Sequence, residues 1–348
     1  MRIFLLLLCI PLLFSCSQLE KPQSGPGTPV SKYFSYGDTG VQSAGIRMIP
    51  IKTAVGNFRV WTKRFGNNRR IKILLLHGGP AIGHEYMECF ESFFPQQGFE
   101  FYEYDQLGAP YSDQPADSSL WTIDRYVDEV EQVRQAIGGN ERNFYVLGNS
   151  WGGMLAMEYA LKYQHHMKGL IVADMVASCP DYGKYAAQVL SKTMDPKVLA
   201  RIRDLEARQD FSNPEYDSLL LPNFYKQHVC RLAEWPDPVV RAMTHLNTAP
   251  VSKQIYVMMQ GPSEFGIAGR LANWDIKARL KEILVPTLMV GARFDTMDPE
   301  AMEEQSKMVG HGRYLYCPNG SHLCMWDDQK VFMSGVIDFI KDVDSGVF

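Results

Sequence analysis

The chain has 348 residues, 46% of them hydrophobic and 12% aromatic, enough to bury the core of one large domain or of a domain carrying an insertion. A formal net charge of −4 offers no basic surface to a nucleic acid, so none is expected as a partner. Seven cysteines scattered over this length do not make a disulfide-stapled scaffold.

Residues 1–15 read as a signal peptide, with Arg2 supplying positive charge and an apolar run from Ile3 to Phe14 that is too short to span a bilayer comfortably. Leu13-Phe14-Ser15-Cys16 resembles a bacterial lipobox, in which Cys16 would be acylated and become the first residue of the mature chain. Residues 16–31 are rich in proline, glycine and serine and read as a lipidated terminus with a flexible tether. The expected location is therefore the bacterial cell envelope, lipid-anchored in the periplasm or at the outer membrane. Without Cys9 and Cys16, an odd set remains (Cys89, Cys179, Cys230, Cys317 and Cys324), expected as buried free thiols.

Two strand-like runs follow, 45–51 and 57–65; the second alternates apolar and polar residues as an antiparallel edge hairpin does. Residues 71–76 and 99–104 read as buried strands. From Thr122 to Ile137, apolar residues recur at helical spacing. A strand at 143–147, a helix at 153–163 and a strand at 168–174 continue the alternation. The rhythm stops near Ser178 and resumes with a strand at 285–291, a helix at 299–309, a strand at 313–317 and a helix at 328–342. Strands alternating with helices imply an α/β fold, a mainly parallel sheet with helices on both faces. The core is expected at 32–177 and 285–348. The block 178–284 has helical patterns, paired prolines and no evident buried strand, and is expected to form an inserted helical cap over the carboxyl edge of the sheet.

Gly148-Asn149-Ser150-Trp151-Gly152 lies between a predicted strand and a predicted helix. That is the context of a nucleophile elbow, which exposes the serine oxygen at a helix N-terminus. A serine hydroxyl needs a base to take its proton and an acid to orient that base. Downstream, Asp295 follows one predicted strand and His322 the last, in the Ser–Asp–His order of an α/β hydrolase. Asp298, directly before Pro299, reads as a helix cap instead. The oxyanion would be bound by the amide of Trp151 and by a second backbone donor from the loop His77-Gly78-Gly79-Pro80, after an early strand. No phosphate-cradling or metal-ligand spacing is present, and neither a metal nor an organic cofactor is expected; His165-His166 reads as a solvated helix end.

His77-Gly-Gly-Pro80, Tyr104-Asp-Gln-Leu-Gly108, Gly148-Asn-Ser-Trp-Gly152, Gly261-Pro-Ser-Glu-Phe265 and Ser321-His322 together resemble the proline iminopeptidase family over roughly residues 35–342. The resemblance implies a serine exopeptidase that releases N-terminal residues, preferentially proline, from short peptides through an acyl-enzyme. Ser150 would be the nucleophile, His322 the base and Asp295 its orienting acid, Gly79 and Trp151 would supply the oxyanion amides, and Glu264 would receive the substrate's charged N-terminal amine. A sheltered carboxylate also makes physical sense there, because charge pairing separates a free amine from an internal amide. Two positions depart from the family pattern. Thr296 stands where relatives often carry a second acid, for which Glu234 is a possible substitute, and Asp105-Gln106-Leu107-Gly108-Ala109-Pro110 lacks the arginine and second glycine common after Asp-Gln. These departures leave other small or hydrophobic N-terminal residues open beside proline. An esterase or amidase for small uncharged acyl substrates is the alternative, and oligomeric state is not legible.

Overall fold

A computed structural model describes residues 45–211 and 213–348. The signal peptide, Cys16 and the tether lie outside the described residues. Among the described residues eight strands form one sheet: β1 (Ile46–Thr53), β2 (Gly56–Phe65), β3 (Lys72–Leu76), β4 (Glu100–Asp105), β5 (Phe144–Asn149), β6 (Gly169–Ala173), β7 (Thr287–Ala292) and β8 (Gly312–Cys317). Their order is β1-β2-β4-β3-β5-β6-β7-β8. β1 and β2 form the expected hairpin, with Thr53 opposite Gly56, and β2 runs antiparallel to β4; the remaining pairs are parallel.

The central parallel strands β3, β5, β6 and β7 are mostly apolar because both of their faces are covered. On β3, Leu74 and Leu76 pack on one side with Val127, Val130 and Leu155. Ile73 and Leu75 pack on the other with Phe332, Val336 and Ile340. The first side belongs to helices α1 (Ile123–Ile137) and α2 (Trp151–Tyr163). Thr122 caps α1 by accepting the Arg125 amide, and Gly138 ends it in the left-handed conformation that glycine adopts without strain.

Residues 178–284 carry α3 (Cys179–Gln188), α4 (Pro196–Ala207), α5 (Pro214–Leu220), α6 (Asp237–Thr248) and α7 (Ser252–Met259), with no named strand among the described residues. The proline pattern has a local cause. Ser178, Asp195 and Asn213 cap three of these helices, each with proline in the first turn, where a missing N–H costs nothing. At the neck, Cys179 N donates to Trp274 O at 2.8 Å and Ile276 N to Ala177 O at 2.9 Å. Farther out, Arg241 of α6 donates to Glu85 at 2.9 Å and Glu88 at 2.6 Å, fastening the cap to the short helix Glu85–Ser92 of the core.

Beyond the cap come α8 (Pro299–Ser306), capped by Asp298 accepting the Glu300 amide at 3.0 Å, and α9 (Gln329–Ser345). Cys89, Cys179, Cys230, Cys317 and Cys324 are buried free thiols. No helix of the described residues is long and apolar enough to cross a membrane.

Candidate active site

The loops after β3, β5, β7 and β8 carry Gly79, Ser150, Asp295 and His322 to the carboxyl edge of the sheet. β3 lies between β4 and β5, so successive connections leave it in opposite directions and a crevice opens there.

Ser150 has φ 58° and ψ −128°, a strained backbone for a residue with a side chain. Packing enforces the strain. A Cβ on Gly148 would stand 2.0 Å from Gly152 O, and one on Gly152 would stand 1.9 Å from Leu76 O. Close approach of backbone to backbone, rather than a left-handed turn, is what requires these two glycines. Ser150 sits immediately before α2, and its carbonyl accepts the amides of Gly153 and Met154 at 2.7 and 3.1 Å. The Trp151 amide, at the first helical position, has no acceptor within its own helix, and so can bind an anion.

Asp295 and His322 are both buried, and His322 Nδ1 is 2.7 Å from Asp295 Oδ1. Burial alone would lower the pKa of His322, but the charge and hydrogen bond of Asp295 raise it above the ordinary 6.5. Thr296, at the position of the absent second acid, joins this pair. Its hydroxyl donates to Asp295 Oδ1 at 3.3 Å and lies 3.2 Å from His322 Nδ1. The cap braces the same loop, since His322 N donates to His228 O at 3.0 Å and Leu323 N to Val229 O at 2.9 Å.

The loop containing Gly79 is held from behind. His77 Nε2 accepts the Gln106 amide at 3.0 Å, and Gln106 Nε2 donates to His77 O at 2.9 Å. The indole of Trp151 donates to Gln106 Oε1 at 2.8 Å. His77 thus braces the loop as a neutral imidazole, its pKa lowered by burial. The Trp151 ring is buried in the core, edge-on to Tyr126.

Asn149 is the hub of a second network, one the sequence reading passed over. Its Nδ2 donates to Asp174 Oδ2 at 3.0 Å and to His322 O at 3.3 Å. Its Oδ1 accepts from Tyr86 at 3.0 Å, and the Tyr86 oxygen accepts the Gly78 amide at 2.7 Å. Asp174 ends the predicted strand at 168–174. Burial first, then the charge of Asp295, push its carboxyl well above the usual range. The one sequence signal was a carboxylate closing an otherwise apolar run.

Ser150, His322, Gly79 and Glu264 line one cavity, whose other walls include Ile82, Val229, Val239, Met243 and Leu323. Glu264 is half-buried among tyrosines. Tyr256 donates to its Oε1 at 2.5 Å, Tyr182 donates to its carbonyl at 2.5 Å, and its amide donates to Tyr225 at 3.4 Å. Burial raises its pKa, opposed by the His322 charge and the Tyr256 hydrogen bond. Glu234, the possible substitute acid, is exposed and does not line this cavity; it precedes α6 in a loop that faces solvent. Thr296 fills that role's place with a hydroxyl.

Ser150, His322 and Glu264 thus share one cavity with Gly79 in its wall, Asp295 paired to His322 and the Trp151 amide at the start of α2, an arrangement chemically suited to acyl transfer. Comparison with known proteins agrees. Residues 72–329 match the alpha/beta hydrolase fold family. A proline iminopeptidase of Flavobacterium johnsoniae is 72% identical over 85% of this chain and 98% of its own length. One from Elizabethkingia meningoseptica is 68% identical over 86% of this chain and all of its own. The crystal structure of a proline iminopeptidase of Mycobacterium smegmatis superimposes with a TM-score of 0.76 at 25% identity, covering 87% of this chain and 100% of that one. The chain belongs to the proline iminopeptidase family of α/β hydrolases.

Proposed function

We propose that the protein is a serine aminopeptidase that releases N-terminal proline from short peptides, with Ser150, His322 and Asp295 as its catalytic residues. The observation that carries the reading is the Glu264 carboxylate facing the same cavity as Ser150 and His322. An exopeptidase has to place a charged amine one residue from the bond it cuts, and a sheltered carboxylate does that by charge pairing. The aliphatic walls at Ile82, Val239 and Met243 suit a pyrrolidine ring, which adds bulk without polar groups beyond the amine.

In this mechanism His322 Nε2 takes the proton of Ser150 as its oxygen bonds to the scissile carbonyl carbon. Asp295 holds Nδ1 and stabilises the imidazolium that forms. Negative charge moves to the carbonyl oxygen, where the amides of Gly79 and Trp151 stabilise it. The tetrahedral intermediate collapses, the C–N bond breaks, and His322 hands its proton to the leaving amine. Water, deprotonated by His322, then cleaves the prolyl ester and frees Ser150.

The decisive comparison uses prolyl nitroanilide and its N-acetyl derivative. The wild type is expected to hydrolyse only the free amine, and Ser150→Ala to hydrolyse neither while remaining folded. Equal turnover of both substrates would favour the esterase or amidase reading.

We further propose acylation at Cys16 and attachment to the cell envelope, a reading supported by the lipobox-like run 13–16 and the tether after it. Mass spectrometry of the mature chain tests it: an N-terminus without lipid at residue 16 would overturn it.

A further inference from the structure

The cap helix α6 carries two stripes of side chains with different tasks. Val239 and Met243, four residues apart, line the cavity that holds Ser150 and His322. Arg241 and His245, also four apart, reach to the core. Residues four apart share one side of a helix, and the two pairs are offset by two residues, about 200° of rotation. The cavity wall and the attachment of the helix are therefore back to back, so a shift at one is carried to the other.

The attachment converges on Glu85. Its carboxylate is buried on the short helix Glu85–Ser92, and both of its oxygens are used. Oε1 accepts from Arg241 at 2.9 Å and from Tyr111 at 3.0 Å, and Oε2 lies 2.8 Å from His245 Nδ1. Arg241 also donates to Glu88 at 2.6 Å and to Asp237, one turn back on its own helix, at 2.7 Å. A buried carboxylate is costly without its donors, which favours the one placement of α6 that supplies them. Tyr86, the next residue, holds the Gly78 amide and Asn149. One turn of the core thus ties the apolar wall to the loop of Gly79 and to the turn of Ser150.

We infer that Glu85 is a positioning residue that sets the fit of the substrate's N-terminal residue, acting through Arg241, His245 and α6 without touching the substrate. The inference rests on the aminopeptidase reading, because it takes Val239 and Met243 to pack against the proline ring. Such contacts fade quickly with distance, and a gap of about 0.5–1 Å forfeits a quarter to a half of each. An alanyl side chain makes fewer of them, so a loosened wall costs a prolyl substrate more than an alanyl one. Because the wall acts before any bond changes, its contribution belongs in KM more than in kcat.

The experiment measures kcat and KM for prolyl and alanyl nitroanilides in wild type, Arg241→Met, Arg241→Lys and Glu85→Gln, with melting temperature alongside. Arg241→Met is expected to raise KM for the prolyl substrate and to lower the prolyl-to-alanyl ratio of kcat/KM about tenfold, with kcat changed less than about threefold. Glu85→Gln keeps the size of the side chain and removes its charge, and should move the ratio the same way. The two changes together should do little more than either alone, because they break one contact. Arg241→Lys should fall between, since an ammonium cannot reproduce the guanidinium fork that reaches Glu85 and Glu88. A folded Arg241→Met with KM and ratio unchanged overturns the proposal, however far its melting temperature drops. If Arg241→Met does not fold, the same criterion is applied to Arg241→Lys. A wild type inactive on prolyl nitroanilide would instead sink the aminopeptidase reading.

Discussion

Asn149, the residue before Ser150, donates from Nδ2 to Asp174 at the end of the neighbouring strand, 3.0 Å away. That bond fixes the amide so that its other atoms reach both flanking loops: the second Nδ2 hydrogen meets His322 O, and Oδ1 meets Tyr86, which in turn holds the Gly78 amide. One side chain thereby couples the loop of His322, the turn of Ser150 and the loop of Gly79.

Tyr86→Phe tests that coupling with the loss of one oxygen. It leaves the Gly78 N–H and Asn149 Oδ1 buried without this partner, at a cost of about 1–3 kcal/mol. Melting temperature should fall by a few degrees and kcat by about tenfold, with KM changed less. Lower melting with an unchanged kcat would make the network structural only.

The pH profile should report His322. As a base it works neutral, so activity disappears as pH falls through its pKa, and Asp295 holds that pKa above 6.5. The acidic limb of kcat/KM is therefore expected to have its midpoint above 6.5. Asp295→Asn removes the charge that opposes burial, so the limb should move to lower pH while kcat falls about 10³–10⁴-fold. A limb that stays in place would mean that another group controls it.

Glu264→Gln keeps size and removes charge. Turnover of prolyl nitroanilide should fall about 100-fold, on the order of a lost charge-assisted bond. Hydrolysis of an uncharged acyl ester should change much less, because Ser150, His322 and the amides of Gly79 and Trp151 are untouched. Parallel losses on both substrates would remove the amine-binding role.

Much of the architecture was legible because buried parallel strands are short apolar runs, and β3, β5, β6 and β7 all announce themselves this way. The cap was legible only as a break in that rhythm. Its helices are short, several begin with a capping residue and proline, and their packing partners lie far along the chain. Ser150, Asp295 and His322 stood out by order and by position after strands. Glu264 was legible only through the resemblance carried by Gly261-Pro-Ser-Glu-Phe265: order and position do not separate it from a surface carboxylate, and its tyrosine surroundings, Tyr182, Tyr225 and Tyr256, come from three separate segments. Tyr86 and Asn149 are 63 residues apart and Asn149 and Asp174 25, so their network is a product of strand order that no spacing rule could reveal.

Glu103 supplies a test of stability rather than catalysis. It lies on β4 opposite Lys63, whose Nζ turns instead to Glu91 at 3.2 Å. Both Glu103 carboxyl oxygens are buried and have no hydrogen-bond partner among the described residues. Burial pushes its pKa up to about 8; Glu91 and Glu88 reinforce the shift, and His84 and Lys63 oppose it. The folded protein thus keeps a proton that the unfolded chain gives up near 4.5. This group's contribution is fully present below about 4.5 and is lost progressively as pH rises to about 8. Glu103→Gln has nearly the same shape and cannot ionise. Its melting temperature should fall less than that of the wild type between pH 5 and pH 8.5, so that the variant gains on the wild type at the alkaline end. Parallel melting curves across that range would show that Glu103 pays no such proton cost in the fold.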